Sequence, residues 1–94
     1  MVSMNARVHV MITGTVQGVY FRETVRQHAV RLGVKGWVRN ASGGGVEALF
    51  EGGNEKILDL LGLCRKGPPA ARVEKIEIEW EEFRGEFEEF EIRY

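Results

Sequence analysis

Between residues 6 and 13 the apolar side chains Val8, Val10 and Ile12 alternate with Arg7, His9 and Met11, a period of two that predicts a strand with one buried face. The period lengthens from Phe21 to Leu32. There Phe21, Val25, Ala29 and Leu32 share one helical face with His28 beside them, while Arg22, Glu23, Arg26 and Arg31 lie elsewhere, and Gly33 is a fitting C-terminal stop. Two short β-rich runs, 34–40 and 46–51, flank a turn from Ala41 to Gly45 whose three glycines can take positive φ, so they read as a hairpin. Asn54 is expected to cap a second helix and Glu55 to suit its first turn. Ile57, Leu60, Leu61 and Cys64 then recur at helical spacing until Gly67, Pro68 and Pro69 end the element. From 73 to 82 Ile76, Ile78 and Trp80 oppose Glu77, Glu79 and Glu81, and after Gly85 a short last strand sets Phe90, Ile92 and Tyr94 opposite Glu89, Glu91 and Arg93.

The element order is β-α-β-β-α-β followed by a short fifth strand. It predicts an α+β sandwich of ferredoxin-like, split-βαβ type, an antiparallel sheet carrying two helices on one face. At 94 residues with no internal linker, residues 1–94 are expected to form one domain. The acidic run near the end is read as the solvated faces of half-buried strands, because its glutamates alternate with apolar residues.

The net charge of −1 gives no footprint for general nucleic-acid or membrane binding, and neither partner is expected. Its distribution is uneven. Up to Gly45 Arg7, Arg22, Arg26, Arg31, Lys35 and Arg39 face Glu23 alone, whereas the region from Glu74 onward is acidic, so an anion site should lie in the first half. The lone Cys64 has no intramolecular disulfide partner, and His9 and His28 lie at no zinc-ligand spacing from it, which points to a cytoplasmic protein without metal or other cofactor. No apolar stretch is long enough to span a membrane, and residues 1–7 lack the apolar core of a signal peptide. The Asn40-Ala41-Ser42 glycosylation pattern is therefore taken as chance.

Chemistry concentrates in the loop from Gly14 to Arg22, which joins the first strand to the first helix. Successive backbone N–H groups there can turn around an anion while the helix N-terminus adds its partial positive charge. Gly14 and Gly18 permit conformations closed to other residues, and the planar fork of Arg22 matches two phosphate oxygens. The loop is no Walker motif, since no Gly-x-x-x-x-Gly-Lys-Ser/Thr string occurs.

Gly14-Thr-Val-Gln-Gly-Val-Tyr-Phe-Arg22 resembles the first signature of the acylphosphatase family, and the segment from Gly36 to Glu47 with Gly52 is similar to the second. The two occur in the right order, separated by one helix, and the closing Phe90-Glu-Ile-Arg-Tyr94 also looks like the family's carboxyl end. The resemblance implies hydrolysis of small-molecule acyl phosphates to a carboxylate and inorganic phosphate. It also implies roles: Arg22 binds the phosphoryl group, backbone amides of Gln17, Gly18, Val19, Tyr20, Phe21 and Arg22 form its cradle, and Asn40 orients the attacking water.

Such chemistry explains the lack of a catalytic His, Cys or metal cluster. Phosphoryl transfer is mainly positioning and charge stabilisation, and a leaving carboxylate whose acid has a pKa of about 4 needs no proton from a general acid. Asn40 is no base, but its amide can fix a water in line, with the substrate phosphate expected to take the proton. His9 is expected on a sheet face, His28 beside a helix stripe and Cys64 in the core. Trp37, Trp80 and Phe21 are expected to pack, with Tyr20 equally open to packing or to fencing the acyl group. The rival is a non-catalytic phosphate- or RNA-binding module on the same topology, faintly echoed by Lys35-Gly-Trp-Val but without the aromatics that should follow. A monomer is expected. Chain boundaries that match the fold's own favour an independent enzyme over the acylphosphatase-like domains fused inside carbamoyl-transferring maturation proteins.

Overall fold

A computed structural model describes residues 4–94, so the reading of residues 1–3 as no leader lies outside the described residues. In chain order the elements are β1 (Asn5–Thr15), α1 (Phe21–Leu32), β2 (Lys35–Asn40), β3 (Val46–Gly53), α2 (Asn54–Lys66), β4 (Arg72–Glu81) and β5 (Phe90–Arg93). Val8, Val10 and Ile12 are fully buried, and β1 pairs antiparallel with β3 on one side and β4 on the other. The sheet runs β4-β1-β3-β2-β5, with β2 and β3 forming the expected hairpin. The first four strands are antiparallel as predicted. β5 joins parallel to β2, Gly36 to Arg39 opposite Phe90 to Arg93, which makes the sheet mixed. Alternation marks a strand but not its direction, and here the chain leaves β4 at one edge and enters the other beside β2.

Phe21, Val25 and Ala29 of α1 and Ile57, Leu60, Leu61 and Cys64 of α2 share one core with Val8, Val10, Ile12, Val38 and Phe50, so both helices cover the same sheet face. Each of the Val, Leu, Ile and Phe side chains among them contributes about 1.5–3 kcal/mol when fully buried. Gly33 at φ 74° ends α1 in a left-handed turn, with its N–H on the Val30 carbonyl and the Val34 N–H on that of Ala29. The start of α2 differs from expectation. Its cap is Gly53 in extended geometry and Asn54 is the first helical residue, with the Asn54 N–H donating to the Met4 carbonyl at 2.8 Å, which ties the helix start to the end of the sheet. Trp80 was expected to pack but is 49% exposed, since β4 is the outermost strand and has a neighbour on one side only.

The other sheet face is not simply solvated. Trp37 lies there between the guanidinium groups of Arg39 and Arg93, 5.0 and 5.2 Å from its ring. Arg7 and Glu51, opposite each other in β1 and β3, are 6% and 2% exposed and form an ion pair at 3.2 Å. Glu81 and Glu86 also accept from Arg7, at 3.0 and 2.5 Å, so two exposed glutamates of the acidic run serve a buried cation as well as facing water. The backbone N–H groups of Arg84, Gly85 and Glu86 close on the Glu51 carboxylate at 2.9–3.1 Å, pinning the connection between β4 and β5 across this face.

Burial pushes the Glu51 carboxyl up, but the backbone donors and Arg7 outweigh it and the net displacement is downward. A carboxyl depressed in the folded state stabilises the protein above its unfolded pKa, and that contribution disappears as pH falls through the folded value. Replacing Glu51→Gln, which turns an NH₂ toward converging donors, is expected to cost about 3 kcal/mol. Thermal unfolding at neutral pH should fall by about 10 °C or more, and the loss of Tm on acidification below about pH 4.5 should be shallower than in the parent. Calorimetry from pH 3 to 7 checks both.

Candidate active site

At the end of β1 the ladder to β4 shifts register between Thr13 and Gly14. Gly14 has φ 130°, and a Cβ there would stand 2.1 Å from the Arg72 carbonyl oxygen, so only glycine lets the strand turn this closely. Val16 anchors the following loop in the core and Gly18 bends it at φ 72°. Tyr20, at φ 62° and ψ 21°, is the only non-glycine residue of the described chain with positive φ, a conformation costing about 1–2 kcal/mol. It stands at the cap position of α1, where no side chain caps the helix. The first bond of the helix runs from the Thr24 N–H to the Tyr20 carbonyl, leaving the N–H groups of Phe21, Arg22 and Glu23 outside the helical ladder. Such a terminus carries partial positive charge and donors suited to an anion.

Gln17 connects this loop to the β2–β3 turn. Its side-chain NH₂ donates to the carbonyls of Ala41 at 3.0 Å and Gly45 at 2.8 Å, and the Ala41 N–H itself donates to Gly45 at 2.8 Å. Asn40, the exposed last residue of β2, is thereby held at the same end of the sheet as the loop.

A cleft of about 460 Å³ opens beside the loop, lined by Val16, Gly18, Tyr20, Phe21, Arg22 and Glu23 and closed by Ile92 and Tyr94. Four of the expected cradle residues therefore meet here. Gln17 falls in the loop between the lining residues Val16 and Gly18, Asn40 is outside the lining at the end of β2, next to the turn that Gln17 holds, and Val19 packs partly buried against the core. The Arg22 guanidinium stacks on the Tyr94 ring at 5.1 Å and enters no ion pair among the described residues. Glu23, by contrast, is paired to Arg26, whose hydrogen bonds hold its carboxyl below the ordinary range. Tyr20 lines the cleft and is 82% exposed, so it does not pack in the core, while Phe21 does. Sequence reasoning did not assign Ile92 and Tyr94 to the site. Their alternation put them on the helix-facing side of a strand, but nothing in it placed that strand beside β2 and α1.

The remaining candidates have structural partners. The His9 Nε2–H donates to Glu47 at 2.6 Å and the His28 Nδ1–H to the Thr24 carbonyl at 2.9 Å. Burial pushes the Cys64 thiol up to about 12, slightly countered by Arg65, so it stays protonated and inert as a nucleophile.

A ferredoxin-like sandwich whose strand-to-helix loop ends in a left-handed residue and an uncapped helix terminus, with Arg22 in the first turn, offers donors and positive charge suited to an anion. The acylphosphatase family model matches residues 8–92, and the chain belongs to that family. It is 54% identical over 88 residues to an acylphosphatase of Pyrobaculum aerophilum, covering 93% of each chain. Among solved structures it superposes on an acylphosphatase from Coxiella burnetii with a TM-score of 0.89 at 37% identity, covering 95% of this chain and 93% of that one. It also superposes on 12% of full-length HypF, solved in a phosphate- and nucleotide-bound form, with a TM-score of 0.89 at 28% identity.

Because one carboxamide holds the loop and the Asn40 strand end together, Gln17→Leu should lower kcat for an acyl phosphate about 10- to 100-fold, with a much smaller change in KM. Steady-state kinetics beside a thermal melt check this. A variant whose kcat is unchanged would show that the tie is irrelevant to turnover.

Proposed function

We propose that Arg22 and the backbone amides of Gln17, Gly18, Val19, Tyr20, Phe21 and Arg22 bind the phosphoryl group of an acyl phosphate and that Asn40 positions the water that attacks it. The reaction itself is that of the family, hydrolysis of the carboxyl-phosphate bond of acyl phosphates to carboxylate and inorganic phosphate. The observation that carries the assignment of roles is the uncapped α1 terminus behind left-handed Tyr20, with Arg22 in its first turn outside any ion pair among the described residues and Gln17 tying the loop to the turn that follows Asn40.

Charge on the transferring phosphoryl group spreads over its equatorial oxygens, where fixed amides and a planar guanidinium lower its energy without reorganising. Water attacks phosphorus as the bond to the acyl oxygen breaks, and the carboxylate leaves with the electron pair. The Asn40 side-chain oxygen accepts from the water and holds a lone pair in line, and the water's proton passes to a phosphoryl oxygen, so no side-chain base is required. A carboxylate is stable as an anion at neutral pH, and amides and Arg22 supply the positive charge, so the reaction is expected to proceed in EDTA. The RNA-binding alternative is disfavoured by Glu77, Glu79 and Glu91 exposed on and beside the open sheet. In this reading residues 1–94 act as one domain and as a monomer, and the single Cys64 suits the cytoplasm.

Arg22→Ala should abolish inhibition by inorganic phosphate and reduce kcat/KM about 10³-fold or more. Asn40→Ala should leave phosphate inhibition within about twofold while kcat falls about 100-fold or more, since it removes alignment of the water and not the anion site. Retained turnover in the first variant, or equal loss of phosphate affinity in the second, contradicts the assigned roles.

A further inference from the structure

The last pair of the ladder between β2 and β5 sets Arg39 opposite Arg93, two cations side by side on the sheet face away from the helices. Like charges directly opposite each other on one face are destabilising. Here both guanidinium groups gather on one ring. Their central carbons stand 5.0 and 5.2 Å from the Trp37 ring, which is only 8% exposed and so fixed by its surroundings, opposite buried Leu49 of β3. Glu47 receives Arg39 at 2.7 Å and Glu91 receives Arg93 at 2.8 Å, so each cation also has a carboxylate partner.

The residues that follow these two arginines belong to the site. Asn40 comes directly after Arg39 and Tyr94 directly after Arg93, and alternation turns both toward the helix-bearing face. Tyr94 is 99% exposed and lies beyond the end of β5, so neither packing nor the ladder holds the ring that rests on Arg22. Asn40 is exposed as well. The position of each is inherited from the arginine before it.

We propose that Trp37, Arg39 and Arg93 form a clamp on the back of the sheet that positions Asn40 and Tyr94, and through Tyr94 the Arg22 guanidinium, for hydrolysis. The clamp rests on the roles assigned to Arg22 and Asn40. All three are positioning residues, since none of them lines the cleft. A guanidinium is drawn to the negative face of an indole and stacks on it as a plane, which an ammonium does not do. One buried ring thereby restrains the ends of two neighbouring strands at once, and the unfavourable pairing of two cations stands where those strands hand over to functional residues. The ion pair of Arg93 with Glu91 is half-exposed on both sides and adds little restraint.

The test measures kcat, KM and competitive inhibition by inorganic phosphate, with benzoyl phosphate as substrate, well below the melting temperature of each variant. Arg39→Met and Arg93→Met keep an apolar stem on the ring and remove the guanidinium. Arg39→Met should lower kcat about tenfold with phosphate inhibition within about twofold of the parent, a partial copy of Asn40→Ala. Arg93→Met should raise KM and the phosphate inhibition constant about fivefold with a smaller change in kcat, a partial copy of Arg22→Ala. Trp37→Leu should show both effects, Trp37→Phe should stay within about threefold of the parent because a ring remains, and Glu91→Gln within about twofold. Parental constants in both methionine variants, or kcat and phosphate inhibition changing alike in the two, overturn the clamp while the Arg22→Ala and Asn40→Ala results keep the site. Phosphate inhibition that survives Arg22→Ala overturns the assigned roles and the clamp with them.

Discussion

An anion cradle made of backbone amides, as proposed for the loop before α1, has no side chains to hold it in shape, so its geometry depends on what fixes the loop from outside. In this chain that work falls to the carboxamide of Gln17. Its two N–H bonds end on carbonyls at either side of the glycine-rich turn, Ala41 and Gly45, and the turn closes on itself through the Ala41 N–H. Two flexible segments, each a poor platform alone, are thereby fastened to each other and to the strands on either side. Glutamate could not replace it, because a carboxylate offers those carbonyls no donor.

The strain at Tyr20 follows from the same geometry. A left-handed residue at the helix cap reverses the chain direction in one step and leaves the first turn of α1 without a capping side chain. Each feature is a cost to the folded state, of about 1 kcal/mol for a missing cap and about 1–2 for the backbone. They persist because Val16 before them and Phe21 after them are buried in the core that β1 anchors from the centre of the sheet. An anion at the helix terminus would satisfy the donors that the missing cap leaves open, so the energy withheld from folding is available to ligand binding.

Most of the fold could be read from the chain because its faces are cleanly divided: Val8, Val10 and Ile12 against Arg7, His9 and Met11, or Ile57, Leu60, Leu61 and Cys64 at helical spacing. The loop carrying Gly18, Tyr20 and Arg22 was legible from its glycines, its place before a helix and its resemblance to a known signature. What escaped depends on long-range pairing. Asn54 has the chemistry of a cap, yet the helix already starts at it behind Gly53, and its N–H joins the sheet through Met4 some fifty residues away in sequence. Glu81 and Glu86 are exposed as the acidic pattern implies, but nothing in it shows that they also close on buried Arg7, which β1 supplies. Ile92 and Tyr94 become cleft walls only through parallel pairing of β5 with β2, which no local pattern specifies.

The buried ion cluster and the cleft lie on different parts of the molecule but are joined by a short length of chain. Glu51 holds the backbone from Arg84 to Glu86, the Lys35 ammonium donates to the Glu88 carbonyl at 2.9 Å, and the Gly36 N–H donates to that of Glu89 at 3.1 Å. From there β5 runs four residues along β2 and delivers Tyr94 onto Arg22. A connection crossing from one sheet edge to the other would otherwise carry large conformational entropy, and its far end would place the cleft wall imprecisely. Fixing it at Glu51 and again at the start of β2 shortens the unsupported span to a few residues. The desolvated pair of Arg7 and Glu51 is thus best understood through what it positions. Two buried charges contribute little net stability in place of apolar residues, but a carboxylate that gathers three consecutive N–H groups fixes the path of a loop in a way that an apolar contact does not.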